Sequence, residues 1–354
     1  MTVTWLSLVG PFHRRFPRYN AVTVRETVAA LAPTRVVTTA VPPGGFDDEG
    51  WRDVEEPALA ELVAWARARG VPVDAAGEPS PDPTAQEDFA RYLSDAGVRD
   101  DAVARVGEAE SALEALLGRA LDASGVHEAL IPAVAELHEA RLAAFGDGPG
   151  TDWTAARGAT MAERVAASLA DAGDGPVVLA VPVDHLPGLR TALAEVGVAP
   201  TDPPVVPPSD AARTRALLDV ALSGGGDDPA ALLASLAEVT TPEARLAEAE
   251  LLLRAGDPGS ALTRLRDVAT TDFVDPPWLP GWVLARLGQL ADVAGSRDEA
   301  RRAYRGVLAL SWAPRAAREA AWEGLETPFT LPGADAPRDG SDDASHDASG
   351  DGGP

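Results

Sequence analysis

The sequence predicts an α/β domain with a mostly parallel sheet and a helical insertion, followed by an all-α region and a polar tail. Three observations carry that prediction. Short apolar runs bounded by turn residues alternate with helix-period segments through the first 200 residues. Between about 84 and 146 two or three helical patterns follow one another with no strand between them. Beyond residue 200 only helix-period patterns recur, until Gly, Ser, Asp and Pro take over from Pro332.

The first run, Val3–Val9, reads as a strand that stops at Gly10-Pro11. A basic turn, His13-Arg14-Arg15-Phe16-Pro17-Arg18-Tyr19, leads into a helix with Val24, Val28 and Leu31 on one face, and Pro33 ends it. Arg35–Val41 reads as the second strand, and Pro42–Glu49 as a loop. Glu56–Arg69 carries Leu59, Leu62, Val63 and Ala66 on one side and stops at Gly70, before a third short strand at Val71–Ala75. Within the insertion, Val103–Ala120 and Val126–Ala144 both place apolar residues three and four apart. The helix Asp152–Ala172 then leads into Val177–Val181, the most strand-like run in the chain, and a further helix begins near Pro187. The domain divides as 1–200 α/β, 201–241 linker and helices, 242–330 paired helices and 331–354 disordered acidic tail.

In the third of these divisions, Ala244–Arg254 and Ala261–Val268 form one helix pair across an Ala-Gly turn, and Trp282–Val293 and Glu299–Leu310 form another. Each second helix starts with a small residue, Ala261 or Ala300, and the second copy adds Tyr304. Over about 242–325 this resembles the tetratricopeptide repeat, with Trp282, Leu287 and Gly288 echoing its first-helix signature and Ala313–Gly324 as a third helix. The resemblance implies a protein or peptide partner held by the helices.

Composition narrows the function classes. A formal charge of −25 argues against nucleic acid and against an anionic membrane surface. With no cysteine there is no thiol chemistry, so a metal would rely on His, Asp, Glu or backbone oxygen. No stretch reaches the ~18 consecutive apolar residues of a membrane span, and the amino terminus lacks a leader pattern, so a cytoplasmic protein is expected.

The candidate site lies at the carboxyl ends of the strands, where open α/β sheets bind their ligands. His13 follows the first strand, with Gly10 three residues before it and Arg14, Arg15 and Arg18 beside it. His185 follows Pro182-Val183-Asp184 at the end of the last strand. If these two strands are neighbours, both imidazoles face one crevice, as bases near neutral pH or as ligands of a divalent metal. Two histidines are too few for a closed metal site, so Asp74, Asp184 or Glu78 would have to complete it. Phosphate loops, a nucleophile elbow and His-Glu-x-x-His are all absent from the sequence. His127 and His138 fall in the helical insertion, and His346 falls in the tail.

Three segments resemble the TraB family, which includes Tiki-type proteins and is related to the erythromycin esterase and ChaN-like fold. They are Leu8-Val9-Gly10-Pro11-Phe12-His13 with the helix and strand after it, Arg157-Gly158 through Met161-Ala162, and Val178–Val181 leading to His185-Leu186-Pro187-Gly188-Leu189. Together they span about 3–198. The resemblance implies a hydrolase in which His13 and His185 are metal ligands or acid–base groups and Arg157 binds an anionic or carbonyl oxygen. Two positions depart from the pattern. Pro182 replaces a glycine, and Thr38, Thr39 and Ala40 stand where an acidic residue is expected after the second strand. Two functions follow: a divergent hydrolase, or a catalytically inactive scaffold that binds its partner through the C-terminal helices.

Overall fold

The computed structural model describes residues 2–54, 56–78, 100–145, 152–224, 228–274 and 276–331. Four strands, β1 (Val3–Leu8), β2 (Arg35–Thr38), β3 (Val73–Ala75) and β4 (Val177–Pro182), form one all-parallel sheet in the order β1-β4-β2-β3. The last strand therefore lies between the first two, pairing Val3 with Val177 on one side and Arg35 with Val177 on the other. Three strands are shorter than expected, β1 by one residue and β2 and β3 by more. Residues 39–41 leave the sheet, although the Thr39 N–H still bonds the Ala180 carbonyl at 3.2 Å. Pro72 has no N–H to donate and leads into β3 through its carbonyl, which accepts from Val36.

Alternation along the buried strands builds two cores. Leu6, Leu8, Val36, Val178 and Ala180 face α1 (Ala21–Leu31) and α2 (Pro57–Ala68), meeting Val24, Val28 and Leu62. Val3, Trp5, Val37, Val177, Leu179 and Val181 face the opposite side. There they meet Met161, Val165, Leu186 and Leu189 from helices that follow the insertion. Continuous apolar strands covered on both faces are what an all-parallel sheet requires.

Local chemistry sets the helix ends. The Asn20 side chain accepts the Thr23 N–H to start α1, and Glu56 accepts the Ala58 N–H to start α2. Gly70, at φ +67°, takes the left-handed turn that releases α2. The insertion contributes α3 (Asp100–Leu117), a π-helical segment at Val126–Leu130 and α4 (Ile131–Phe145). Part of its expected range, residues 84–99, lies outside the described residues. Then come α5 (Asp152–Ala170) and α6 (Leu186–Glu195). These two touch where a Cβ on Gly158 would fall 2.9 Å from the Gly188 carbonyl carbon, so glycine permits their contact.

Sheet edge β1 is covered after α6. Trp5 N–H bonds the Thr201 carbonyl at 3.1 Å, and Thr201 N–H bonds the Val3 carbonyl at 2.9 Å. An edge occupied by its own chain is closed to pairing with another.

The remaining described helices are α7 (Asp210–Leu222), α8 (Pro229–Leu236), α9 (Pro242–Arg254), α10 (Pro258–Ala269), α11 (Leu279–Val293), α12 (Arg297–Ala309) and α13 (Arg315–Glu326). The pairs α9/α10 and α11/α12 are hairpins, each turned by a left-handed glycine, Gly256 at φ +80° and Gly295 at φ +73°. Ala261 and Ala300 are fully buried at the starts of the second helices. Tyr304 lies wedged between helices: a Cβ on Gly288 would stand 2.4 Å from its ring, and one on Gly324 would stand 2.3 Å from it. The expected tail falls almost wholly outside the described residues. No helix among the described residues is long and apolar enough to cross a membrane.

This helical layer docks on the α/β domain. Asn20 Nδ2 donates to the Ala212 carbonyl at 2.8 Å, and Ser209 Oγ donates to Glu26 Oε1 at 2.6 Å. Arg52 stacks on both Trp51 and Trp312, at 5.5 and 5.6 Å from the ring centres.

Candidate functional site

The neighbouring placement of β1 and β4 puts both histidine-bearing turns at one end of the sheet, because Leu8 pairs with Pro182. The two turns are chemically unlike. His13 lies in the 3₁₀ turn Gly10–Arg14 and is 1% exposed, whereas Arg14, Arg15 and Arg18 point to solvent. The arginines that mark this turn in the sequence therefore do not converge on the imidazole.

Both ring nitrogens of His13 are engaged. Nδ1 is 2.8 Å from the Tyr19 carbonyl, which can only accept, so Nδ1 carries the proton. Nε2 then accepts the Val9 N–H at 3.1 Å. The ring stacks on Tyr19, whose hydroxyl donates to the Ser7 carbonyl at 2.7 Å. Burial holds the imidazole neutral and lowers its pKa to about 4, against the opposing pull of the Tyr19 carbonyl.

Glu56 is the residue that sequence reasoning missed. Its Oε2 accepts the Gly10 N–H at 2.7 Å, and its Oε1 lies 3.3 Å from His13 Nε2. Gly10, at φ +61°, allows its backbone to approach this carboxyl. Burial pushes the Glu56 pKa up to about 8, and the Asp184 charge adds to the rise, while backbone donors from Gly10, Ala58 and Leu59 pull it down. Near pH 7 both groups are thus neutral, so their 3.3 Å approach is not an ion pair. Glu56 lies 46 residues from Gly10, in the run-in to α2. The one signal available was the Glu-Pro step at the helix start, which reads first as a cap.

His185 is held differently. Its Nδ1 is 3.1 Å from Thr39 Oγ1, and Asp184 Oδ2 lies 3.8 Å from Nε2, beyond hydrogen-bond reach. Thr39 occupies the stretch where an acidic residue was expected, and a hydroxyl there meets the imidazole instead. Burial lowers the His185 pKa to about 4, with Asp184 opposing and the Arg157 charge assisting. The Asp184 side chain is 72% exposed. Arg157, on α5, donates to the Glu78 carbonyl at 3.4 Å, and burial lowers its pKa against the charges of Asp184 and Glu78. Four of the groups expected from sequence, His13, His185, Arg157 and Asp184, are thereby brought to one end of the sheet, and Glu56 joins them.

The donor set does not fit a divalent metal. His13 has no lone pair uncommitted, because Nδ1 is protonated and Nε2 accepts from Val9. Of the three carboxylates expected to complete a site, Asp74 pairs with Arg35 and Glu78 pairs with Arg164 at 2.7 Å, which leaves only Asp184 beside His185. Among the described residues no group of three or more His, Asp or Glu side chains is arranged to hold an ion. Of the remaining histidines, His127 lies 3.6 Å from Asp202 and His138 sits on α4. His346 is outside the described residues.

Comparisons with family models, with curated proteins and with solved structures return no match to this chain.

Proposed function

We propose that this chain is a divergent TraB-like protein that works as a non-catalytic binding scaffold. In this reading the strand-end histidine cluster stabilises the α/β domain, and the C-terminal helices hold a protein or peptide partner. The observation that carries it is the fully satisfied, buried His13, whose ring has neither a free nitrogen nor solvent access. A general base must reach its substrate's proton, directly or through one water. His13 instead ties β1 to Tyr19 and Glu56. The helical region supports a binding role through tetratricopeptide-like packing, with small residues at Ala261 and Ala300 and Tyr304 in the groove between helices. On α13, Trp322 remains 60% exposed.

One observation favours a second reading, a hydrolase centred on His185. Its Nε2 makes no hydrogen bond among the described residues, and the charges of Asp184 and Arg157 act on it. Such a site would use His185 as the base and Arg157 to hold an anionic or carbonyl oxygen, without a metal.

The deciding experiment measures bound metal and screens ester, amide and peptide hydrolysis, with wild type compared with His13→Gln and His185→Ala. The scaffold reading expects no stoichiometric metal, no turnover, and a loss of stability in His13→Gln. Turnover that disappears in a folded His185→Ala variant overturns it in favour of the second reading.

A further inference from the structure

The chain holds 55 acidic residues against 30 basic ones, yet α12 turns arginines to solvent. Arg297, Arg301 and Arg305 stand four residues apart and so share one stripe of the helix, with Arg302 beside it. Arg301, Arg302 and Arg305 are exposed. Asp298, also exposed, sits in the first turn, where the helix dipole favours an acid. Among the described residues Arg301 and Arg305 form no ion pair. Arg302 adds its charge to the Arg266 hydrogen bond that lowers the Glu299 pKa. Like charges four apart destabilise a helix, so the stripe is a repulsion that an anionic occupant relieves.

The stripe begins where the described chain leaves the helices. Arg297 Nη1 donates to both carboxyl oxygens of Asp292, at the end of α11, at 3.0 Å, and to the Gly324 carbonyl of α13 at 2.7 Å. Its Nη2 donates to the Leu325 carbonyl at 2.9 Å. The Asp292 side chain is fully buried, and its Oδ2 also accepts the Tyr304 hydroxyl and the Phe329 N–H, each at 3.0 Å. Phe329 is thereby fastened beside the first turn of α12, and residues 332–354 follow shortly after it. That segment carries six aspartates against one arginine, Arg338. The rise from Arg297 to Arg305 is about 12 Å, which about four extended residues span.

We propose that Arg301, Arg302 and Arg305 are the seat of the chain's own acidic segment, residues 332–354. Recognition is by charge: aspartates at Asp339, Asp342 and Asp343, separated by small residues, meet guanidinium groups that suit carboxylates in paired hydrogen bonds. Tethering supplies these acids at high local concentration beside the stripe, so no single contact has to be strong. A separate acidic protein would first meet the repulsion of a chain with formal charge −25. The seat stands whether or not the helices hold a partner.

The full chain has no cysteine, so Ser341→Cys accepts a single nitroxide label. Paramagnetic broadening of backbone amide signals then reports where the acidic segment lies. At low salt the broadening is expected to be strongest at Arg301–Arg305. It should fall in 1 M salt, where charges are screened beyond about 3 Å. Adding Arg301→Gln, Arg302→Gln and Arg305→Gln together should reduce it to the 1 M level, whereas the three Arg→Lys changes should keep most of it. Unchanged amide positions outside α12 check that the variants fold. Equal broadening with and without the glutamines overturns the proposal, because tethering alone then accounts for it. Broadening centred on the exposed Arg14, Arg15 and Arg18 also overturns it, by placing the segment on the other basic turn. Broadening seen only when the label sits on a separate copy gives the stripe to a second chain instead.

Discussion

The carboxyl of Glu56 lies 3.3 Å from Nε2 of His13, although 43 positions separate the two residues in the chain. One buried neutral pair thus fastens the turn after β1 to the start of α2, and its electrostatics can be tested.

Stability should be nearly level between about pH 4.5 and 6 and then fall up to pH 8. His13 and His185 have pKa values lowered to about 4, so between about 4 and 6.5 the unfolded chain holds protons there that the native one has lost. Glu56, raised to about 8, and Asp219, raised to about 6, each keep a proton in the native state that the unfolded state has released, and below pH 6 the two together offset the histidines. Between 6.5 and 8 Glu56 acts alone among these groups, with a limiting slope of about 1.4 kcal/mol per pH unit. Chemical denaturation of Glu56→Gln should show that alkaline slope flattened; an unchanged slope would contradict the assignment.

His13→Ala should destabilise the α/β domain by about 2–4 kcal/mol, because it orphans the Val9 N–H and opens a cavity against Tyr19. A urea midpoint within error of wild type would show that His13 does not hold the turn.

Thr39→Val removes the hydroxyl that meets His185 while keeping the shape. The expected loss is about 1–2 kcal/mol, with Thr39→Ser close to wild type. Ring nitrogen shifts in NMR spectra supply a second readout. They should move for His185 in Thr39→Val and stay fixed for His13.

In the helical layer, Gly288→Ala places a methyl 2.4 Å from the Tyr304 ring and should cost about 2 kcal/mol or more. Gly107→Ala meets no atom within 4 Å and serves as the neutral control. Equal melting temperatures for the two variants would refute the wedge.

Much of the fold was legible because its signals are local. The run at Val177 is apolar throughout and that at Val3 is broken only by Thr4 and Ser7, as suits strands covered on both faces, and Gly70, Gly256 and Gly295 mark helix ends by chemistry that acts within a few residues. Strand limits were less legible. Val41 is as apolar as a strand residue, yet it packs with Trp51 and Leu59 instead of extending β2. The site was half legible. Each histidine announces itself after a strand, but its surroundings are decided by partners far away in sequence. Thr39 is 146 positions from His185, and no pattern in either segment refers to the other. Glu56 was obscured because a carboxylate before Pro57 satisfies a helix cap and a distant turn at once.

The position of β4 has a consequence for how the chain comes into being. The first two strands are complete within 38 residues, yet neither touches the other in the sheet, and the strand that joins them begins at Val177. A ribosome must therefore release most of the α/β domain before its central hydrogen bonds can form. Until then β1 lacks its neighbour β4, and β2 has only β3 beside it. Loop closure over this distance is slow, and the interval is when the nascent protein is most exposed to mispairing.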